Sequence, residues 1–491
     1  MEVSGHTPVK LRRELSIWEA IGISLALMAP SMAANINPQG TALQVGRAVP
    51  LGFLLATVGV LLVAYGFVRL TQQFNHAGSV YAFVGVTLGP RMGVFSGLAL
   101  MGTYIFYAVV TSMAAGIFGA SFLQAIGILP EGDVSPVAQF AIGFLALGGA
   151  WLLALIPARQ GTRTLLIVEA VTVALIVITT IVILIKLLGG GGPTGQAFTL
   201  DVFFPTSGTS LSAIATGAVF GFLSFAGFEA AATLGEEAKN PRRDIPRAIL
   251  GVAVFGGIYF VVVTAVEVMG FGTDDAGLKA FTSSGSLLGD LGTTYIGPWI
   301  GDLITIGAAV SAFGCCLACL VGASRLLYAL GRDNQQTPVL GTAARVSTRY
   351  GTPSGALAIV SIAAAAIVLI WAIVAGVHAF DIFVGSGVIG TLILLVAYAL
   401  ATVGAVKFLF FNGRARVPMY EIIVPILALL VLGLTLWLNL SFDTTTTAFA
   451  YEVAVVVWLV VVAVFVFAMP GLARRVGEGF ERDEGLLPGS A

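Results

Sequence analysis

Glu229 and Glu169 are acids set inside stretches otherwise apolar for the length of a bilayer crossing, and a buried acid can recognise a cation or carry a proton. Glu229 follows Ser224, Ala226 and Gly227, small residues at what should be the middle of an apolar helix, where the backbone can open. A freed carbonyl or N–H costs several kcal/mol in hydrocarbon, so a broken helix at that depth is tolerated only where it lines a polar cavity or is buried in protein. This span is therefore expected to wall a binding site. Glu229 falls on the first turn after Gly227, where its plain role is to satisfy and polarise a half-helix N-terminus; cation recognition or proton coupling is the alternative. Glu169 lies about two turns into its span and, bare and lipid-facing at the centre, would cost on the order of 2.5–3.5 kcal/mol. Its expected partner is Arg163 or Arg159 at the near end of that span, a structural role preferred to proton coupling.

A second break is expected near the start of the chain. The first span runs from Ile17 to Met28 and then meets Ala29-Pro30-Ser31, where proline lacks an N–H and clashes with the preceding turn. Ser31 is placed to cap a second half-helix whose first amides, on Met32, Ala33 and Ala34, would point into the gap and favour an anion; a simple kink is the alternative. Tyr104 and Tyr107 lie inside the third span, as packing or with a hydroxyl toward a cavity. Cys315, Cys316 and Cys319 share one apolar helix without a nearby histidine, so they read as packing residues rather than a disulfide framework or a zinc site. His6, His76 and His378 all fall in tails or loops, leaving no convergent nucleophile, base or metal set; an enzyme is not expected, nor any cofactor or bound metal.

These residues are positioned by a chain built for the bilayer. Of 491 residues 58% are apolar and 10% charged, and mean hydropathy is +0.99, whereas soluble proteins carry about 25% charged residues. A polytopic membrane protein follows, with about 20 apolar residues per crossing. Twelve spans are predicted, over 17–40, 49–70, 92–118, 137–157, 164–188, 210–235, 247–270, 298–330, 354–377, 381–405, 420–440 and 448–469. The formal charge of −1 and the absence of a basic patch give no reason to expect a nucleic-acid partner. With the N-terminus inside, only Arg47, Lys186 and Lys279 of the 24 lysines and arginines fall outside, so both termini are expected in the cytoplasm of a multi-pass cell-membrane protein. Met1 to Arg13 is polar and the apolar run after it is too long for an h-region, so no cleaved signal peptide is expected.

Between spans, residues 75–91 read as an amphipathic or re-entrant connector, 189–195 as a flexible glycine-rich loop, and 271–297 as a partly helical lid. His76 reads as a solvated loop residue. Gly385, Ser386, Gly387 and Gly390 would let helices approach closely in the tenth span. Spans one and six, interrupted at mid-depth and five spans apart, point to two inverted repeats with the site between their broken helices. The predicted organisation is a tail over 1–16, a transport core over 17–405 made of repeats at about 17–188 and 210–405, two further helices over 406–470, read as scaffold or a homodimer surface, and a tail over 471–491.

At Ser224-Phe-Ala-Gly-Phe-Glu229, Glu236-Glu-Ala-Lys-Asn-Pro-Arg-Arg-Asp-Ile-Pro-Arg-Ala-Ile249, Ala323-Ser-Arg-Leu-Leu-Tyr-Ala-Leu-Gly-Arg-Asp333, Gly351-Thr-Pro353 and, more weakly, Gly78-Ser-Val-Tyr81, the sequence resembles the amino acid–polyamine–organocation (APC) superfamily, twelve-span permeases with the leucine-transporter fold. The resemblance covers residues 15–470 and implies an all-α membrane protein with a 5+5 inverted repeat and broken first and sixth helices. It implies a substrate site at Ala29, Ser31, Met32, Ala33, Tyr104, Leu223, Ser224, Ala226 and Gly227, the amides of Ser31 to Ala33 meeting an α-carboxylate and the freed carbonyls of Leu223 to Ala226 an α-amine. Three departures stand out. Met28-Ala-Pro-Ser31 replaces the Gly-Ser-Gly type run of relatives, removing one amide donor. Leu223 occupies the gating position of an aromatic residue, so an aromatic lid would come from Phe220, Phe222 or Phe225. Lys186, at the outer end of the fifth span, does not sit where some relatives use lysine in place of sodium.

The resemblance implies a secondary active transporter of amino acids or related amines, working by alternating access in the bilayer. Proton coupling is expected, with Glu229 and Glu169 the available acids, because the middle of the eighth span, Ser311 to Cys319, offers only Ser311 where sodium-coupled relatives place hydroxyls. An amino acid, amine or polyamine exchanger is the alternative, and a non-transporting sensor a further one. A channel would need rings of like polar groups, which one asymmetric chain lacks.

Overall fold

The computed structural model describes residues 16–471 apart from 75–79, 131, 133, 157–160, 235–237, 333–337, 375, 377, 414, 441, 443, 445–447 and 469–470. His76, Gly78, Arg159, Glu236, Glu237, Asp333 and nearly all of both tails lie outside the described residues, as does the side chain of Arg163. The described chain is helical without strands: α1 (Ile17–Met28), α2 (Pro30–Val45), α3 (Val49–Gln73), α4 (Val80–Leu88), α5 (Pro90–Ala125), α6 (Pro136–Ala154), α7 (Gly161–Leu188), α8 (Leu211–Phe225), α9 (Pro241–Phe271), α10 (Asp275–Ser283), α11 (Leu287–Tyr295), α12 (Pro298–Arg332), α13 (Pro338–Ala343), α14 (Ser354–Val374), α15 (Ala379–Val406), α16 (Ile423–Asn439) and α17 (Ala448–Ala468).

Eleven helical stretches are long and apolar enough to cross a membrane, the first running 57 residues from Ile17 to Gln73. At about 1.5 Å per residue that stretch would measure roughly 85 Å, far more than the ~30 Å of a hydrocarbon core. It folds back at Gly46–Ala48, so that α1 with α2 makes one crossing and α3 the next, for a total of twelve. The seventh crossing begins earlier than the sequence pattern suggests. Pro241 takes the first helical position, where a missing N–H costs nothing, and draws Arg242, Arg243 and Arg247 into the opening turns of α9.

The repeat mates pack on one another. The second and seventh crossings, α3 and α9, lie together, as do the third and eighth, α5 and α12; α15 runs along α5, and α2 along α8. Small residues permit these approaches: a Cβ on Gly390 of α15 would lie 2.8 Å from the Tyr107 ring of α5. Ile185 of α7, Ile373 of α14, Leu430 of α16 and Val464 of α17 are exposed, the apolar faces that the bilayer covers. The connector after α3 forms α4 against α5 and α15.

The loop after α9 is the partly helical lid the sequence suggests, made of α10 and α11. Polar residues buried on α2 hold it down. Gln39 donates to the carbonyls of Phe281 (2.9 Å) and Ser284 (2.7 Å), and Asn35 Oδ1 accepts from Ser286 Oγ and the Leu288 amide, each at 2.9 Å. Lys186 at the end of α7 donates to the Tyr295 carbonyl of α11. One end of the bundle is thereby closed.

Candidate substrate site between the two broken helices

The first break centres on Ala29, which ends α1 in the left-handed conformation (φ 46°, ψ 58°). For a residue with a Cβ that costs about 1–2 kcal/mol and persists only because its surroundings impose it. Pro30 is the cause, since it pushes the preceding residue out of the right-handed helical region and then fits the first position of α2. Ser31 is consequently the second residue of α2 and not its cap, and its buried hydroxyl has no hydrogen-bond partner among the described residues.

The donors expected there are all engaged. The Ser31 amide donates to Glu169 Oε1 at 2.9 Å, the Met32 amide to Ser311 Oγ at 3.3 Å, and the Ala33 amide to the Ala29 carbonyl at 2.9 Å. Among the described residues Glu169 finds a partner at the start of α2, where a carboxylate is stabilised by an N-terminal amide and the helix dipole; Arg159 and the side chain of Arg163, the partners expected from sequence, lie outside the described residues. Two carbonyls near the break accept from side chains of other helices. Leu27 accepts from the Cys315 thiol at 3.1 Å and Pro30 from the Tyr259 hydroxyl at 3.4 Å.

The second break follows Phe225. Gly227 adopts φ +100°, and the chain resumes as a short 3₁₀ turn, Ala230–Leu234. Carbonyls of Leu223, Phe225 and Gly227 accept from the amides of Ala226, Phe228 and Ala230 at 3.2, 3.0 and 2.9 Å; those of Ser224 and Ala226 accept none among the described residues. Two serines stitch the breaks together. Ser224 Oγ accepts from Asn37 of α2 at 2.7 Å, and Ser24 Oγ of α1 accepts from the Ala231 amide at 3.0 Å while donating to the Phe228 carbonyl at 3.1 Å. Glu229 Oε2 accepts from the Tyr398 hydroxyl of α15 at 2.8 Å. The Tyr398 ring is wedged edge-on against Phe67 and Phe228.

A cavity of about 550 Å³ opens between these elements, with Leu27, Tyr104, Glu169, Glu229 and Ser311 on its walls and Arg325 and Thr233 at its edge. Arg325 and Thr233 are exposed, so the cavity reaches the surface at the end of the bundle where α1 begins, opposite the lid. A small void adjoins it, sharing Leu27, Tyr104 and Glu229 and extending to Tyr107, Ala226 and Gly227. Among the predicted site residues, Tyr104, Glu169 and Glu229 line the cavity, and Tyr104, Glu229, Ala226 and Gly227 the adjoining void. Ala29, Ser31, Met32, Ala33, Leu223 and Ser224 are buried behind it and line neither of these two cavities, as are Phe220, Phe222 and Phe225.

Sequence reasoning missed Tyr398 and the anchoring residues Ser24, Asn35, Asn37 and Gln39, although polar groups inside an apolar span were the signal already used for Tyr104. It also missed Glu267 of α9, fully buried with neither carboxyl oxygen hydrogen-bonded among the described residues.

The described residues thus form a helical bundle of membrane-crossing length with a cavity beside two opposed breaks, and the comparison with known families places it. The chain matches the amino acid permease family over residues 15–474 and belongs to it. It is 25% identical over 331 residues to the low-affinity putrescine importer of Escherichia coli, covering 66% of this chain and 68% of that protein. It is 25% identical over 360 residues to the branched-chain amino acid permease of Bacillus subtilis, covering 70% and 71%, and 26% identical over 415 residues to an uncharacterized transporter of Mycobacterium tuberculosis, covering 83% of each.

Proposed function

We propose that this chain is a secondary active transporter that moves amino acids or related amines across the cytoplasmic membrane by alternating access, drawing on the proton gradient. The observation that carries the reading is the cavity itself. It lies between two helices broken at mid-membrane, holds two acids, and reaches one end of the bundle while α10 and α11 close the other. Under the orientation expected from the lysine and arginine distribution, with both termini cytoplasmic, this is an inward-facing conformation. The names of the relatives, which include a putrescine importer and a branched-chain amino acid permease, support the substrate range.

In this reading Ala29, Ser31, Met32 and Ala33 on one side, and Leu223, Ser224, Ala226 and Gly227 on the other, form the frame in which the site opens and closes, with Tyr104 as the wall facing the solute. Glu229, held by Tyr398 between the 3₁₀ turn and α15, is placed to sense both. Uptake by purified protein in proteoliposomes, driven by an imposed inside-alkaline pH gradient and screened over amino acids and amines, tests it. Binding without flux for every compound would make the chain a sensor instead.

A further inference from the structure

We propose that the substrate is an organic amine without a carboxylate, a monoamine or diamine on an apolar body, and that Glu169 occupies the place an amino-acid carboxylate would need. The inference rests on the transport reading above and narrows it to one charge type. The first amides of a half-helix that starts inside a protein cavity are a natural seat for an anion, because they have no partner in their own helix and the dipole adds to them. In α2 that seat is filled from within the chain: Glu169 takes the Ser31 amide, Ser311 the Met32 amide, and the Ala33 amide is bonded back to Ala29. Ser31, Met32 and Ala33 are 0%, 4% and 0% exposed, behind the cavity wall, while Glu169 and Ser311 form that wall. An entering solute meets the carboxylate, not the amides.

Glu229 presents a second carboxylate to the same space from the other break, and the single cationic group among the described lining residues is Arg325, exposed at the edge. A zwitterionic amino acid would bring its carboxylate to a space lined by two acidic side chains, with no free backbone N–H on α2 to receive it. An ammonium group, by contrast, meets oxygen acceptors on both acids, and Ala226, whose carbonyl accepts no backbone hydrogen bond among the described residues, lines the adjoining void. The remaining walls, among them Leu27, Leu100, Tyr104, Leu317 and Val321, suit a hydrocarbon or aromatic body.

The test is counterflow in proteoliposomes holding the full-length protein, with pairs that differ by the carboxylate alone: putrescine and ornithine, cadaverine and lysine, tyramine and tyrosine, isoamylamine and leucine. At least one amine is expected to exchange, with its carboxylated counterpart competing at least tenfold more weakly. Glu169→Gln, which keeps the amide's acceptor and the side-chain volume but removes the charge, is expected to weaken the amine at least tenfold while eluting as a monodisperse species. Glu169→Ala, which uncovers the Ser31 amide, is expected to shrink the preference against the amino acid. An amino acid exchanging as well as its amine would overturn the inference and leave the transport reading intact; exchange of neither class would remove both.

Discussion

Replacing Gly227 should stop transport without unfolding the protein, and the structure gives the size of the effect. At φ +100° an L-residue costs about 1–3 kcal/mol. A Cβ built there would lie 2.7 Å from Leu27 Cγ and 2.8 Å from Leu27 Cβ on α1, an overpacking worth a further ~1–3 kcal/mol. The sum, about 2–6 kcal/mol, is small against the packing of a twelve-crossing bundle but large against the balance between two transport conformations. If it falls on this conformation alone, the balance moves by roughly thirtyfold to twenty-five-thousandfold. Gly227→Ala is accordingly expected to lower the initial rate of uptake into proteoliposomes at least tenfold, and Gly227→Leu to abolish it, with normal expression and size-exclusion profiles. Because half of the cost is contact with Leu27, Leu27→Ala combined with Gly227→Ala should recover part of the rate, and a double-mutant cycle should show a coupling of about 1–3 kcal/mol. Wild-type affinity and rate in Gly227→Leu would refute the assignment of this turn to the site.

Three other outcomes are expected. Cysteines placed at the exposed positions Thr194 and Ala280 should react with an impermeant thiol reagent in intact cells, and ones at Asn240 and Asn412 should not; the three native cysteines are buried and should stay silent. Labelling of Asn240→Cys would reverse the orientation. Uptake should be unchanged when choline replaces sodium on both sides, since the Leu27 carbonyl accepts from the Cys315 thiol and the middle of α12 offers Ser311, which accepts from the Met32 amide, as its one hydroxyl oxygen near the first break; response to a pH gradient rather than to preloaded solute separates proton symport from exchange, and a steep sodium dependence would contradict the reasoning. Glu267→Leu should leave uptake intact, because Glu267 lines neither cavity, and should stabilise the protein by about 1–3 kcal/mol, read as a higher melting temperature, by removing a buried polar group without hydrogen bonds. Loss of pH-driven uptake in a well-folded Glu267→Leu would instead assign proton coupling to Glu267.

Much of this protein is dictated by composition and local pattern. The twelve crossings follow from apolar run length, since an unpaired backbone cannot sit in hydrocarbon, and both breaks follow from residues that act within a turn of themselves: Pro30 on Ala29, and Gly227 on its own φ. The partly helical lid was equally legible. What the sequence could not supply is which groups meet across the fold. Glu169 is 138 residues from Ser31 along the chain, and near Arg163 and Arg159 in sequence, so local reasoning paired it with arginine. Tertiary packing of α7 against α2 brings it to an amide at the wall of the cavity. Likewise Tyr398 could be linked to Glu229, 169 residues away, only once α15 had folded beside the second break. Backbone breaks are local events governed by dihedral sterics. The charge a binding site presents is set by long-range pairing, which the linear order of residues does not encode in any readable period.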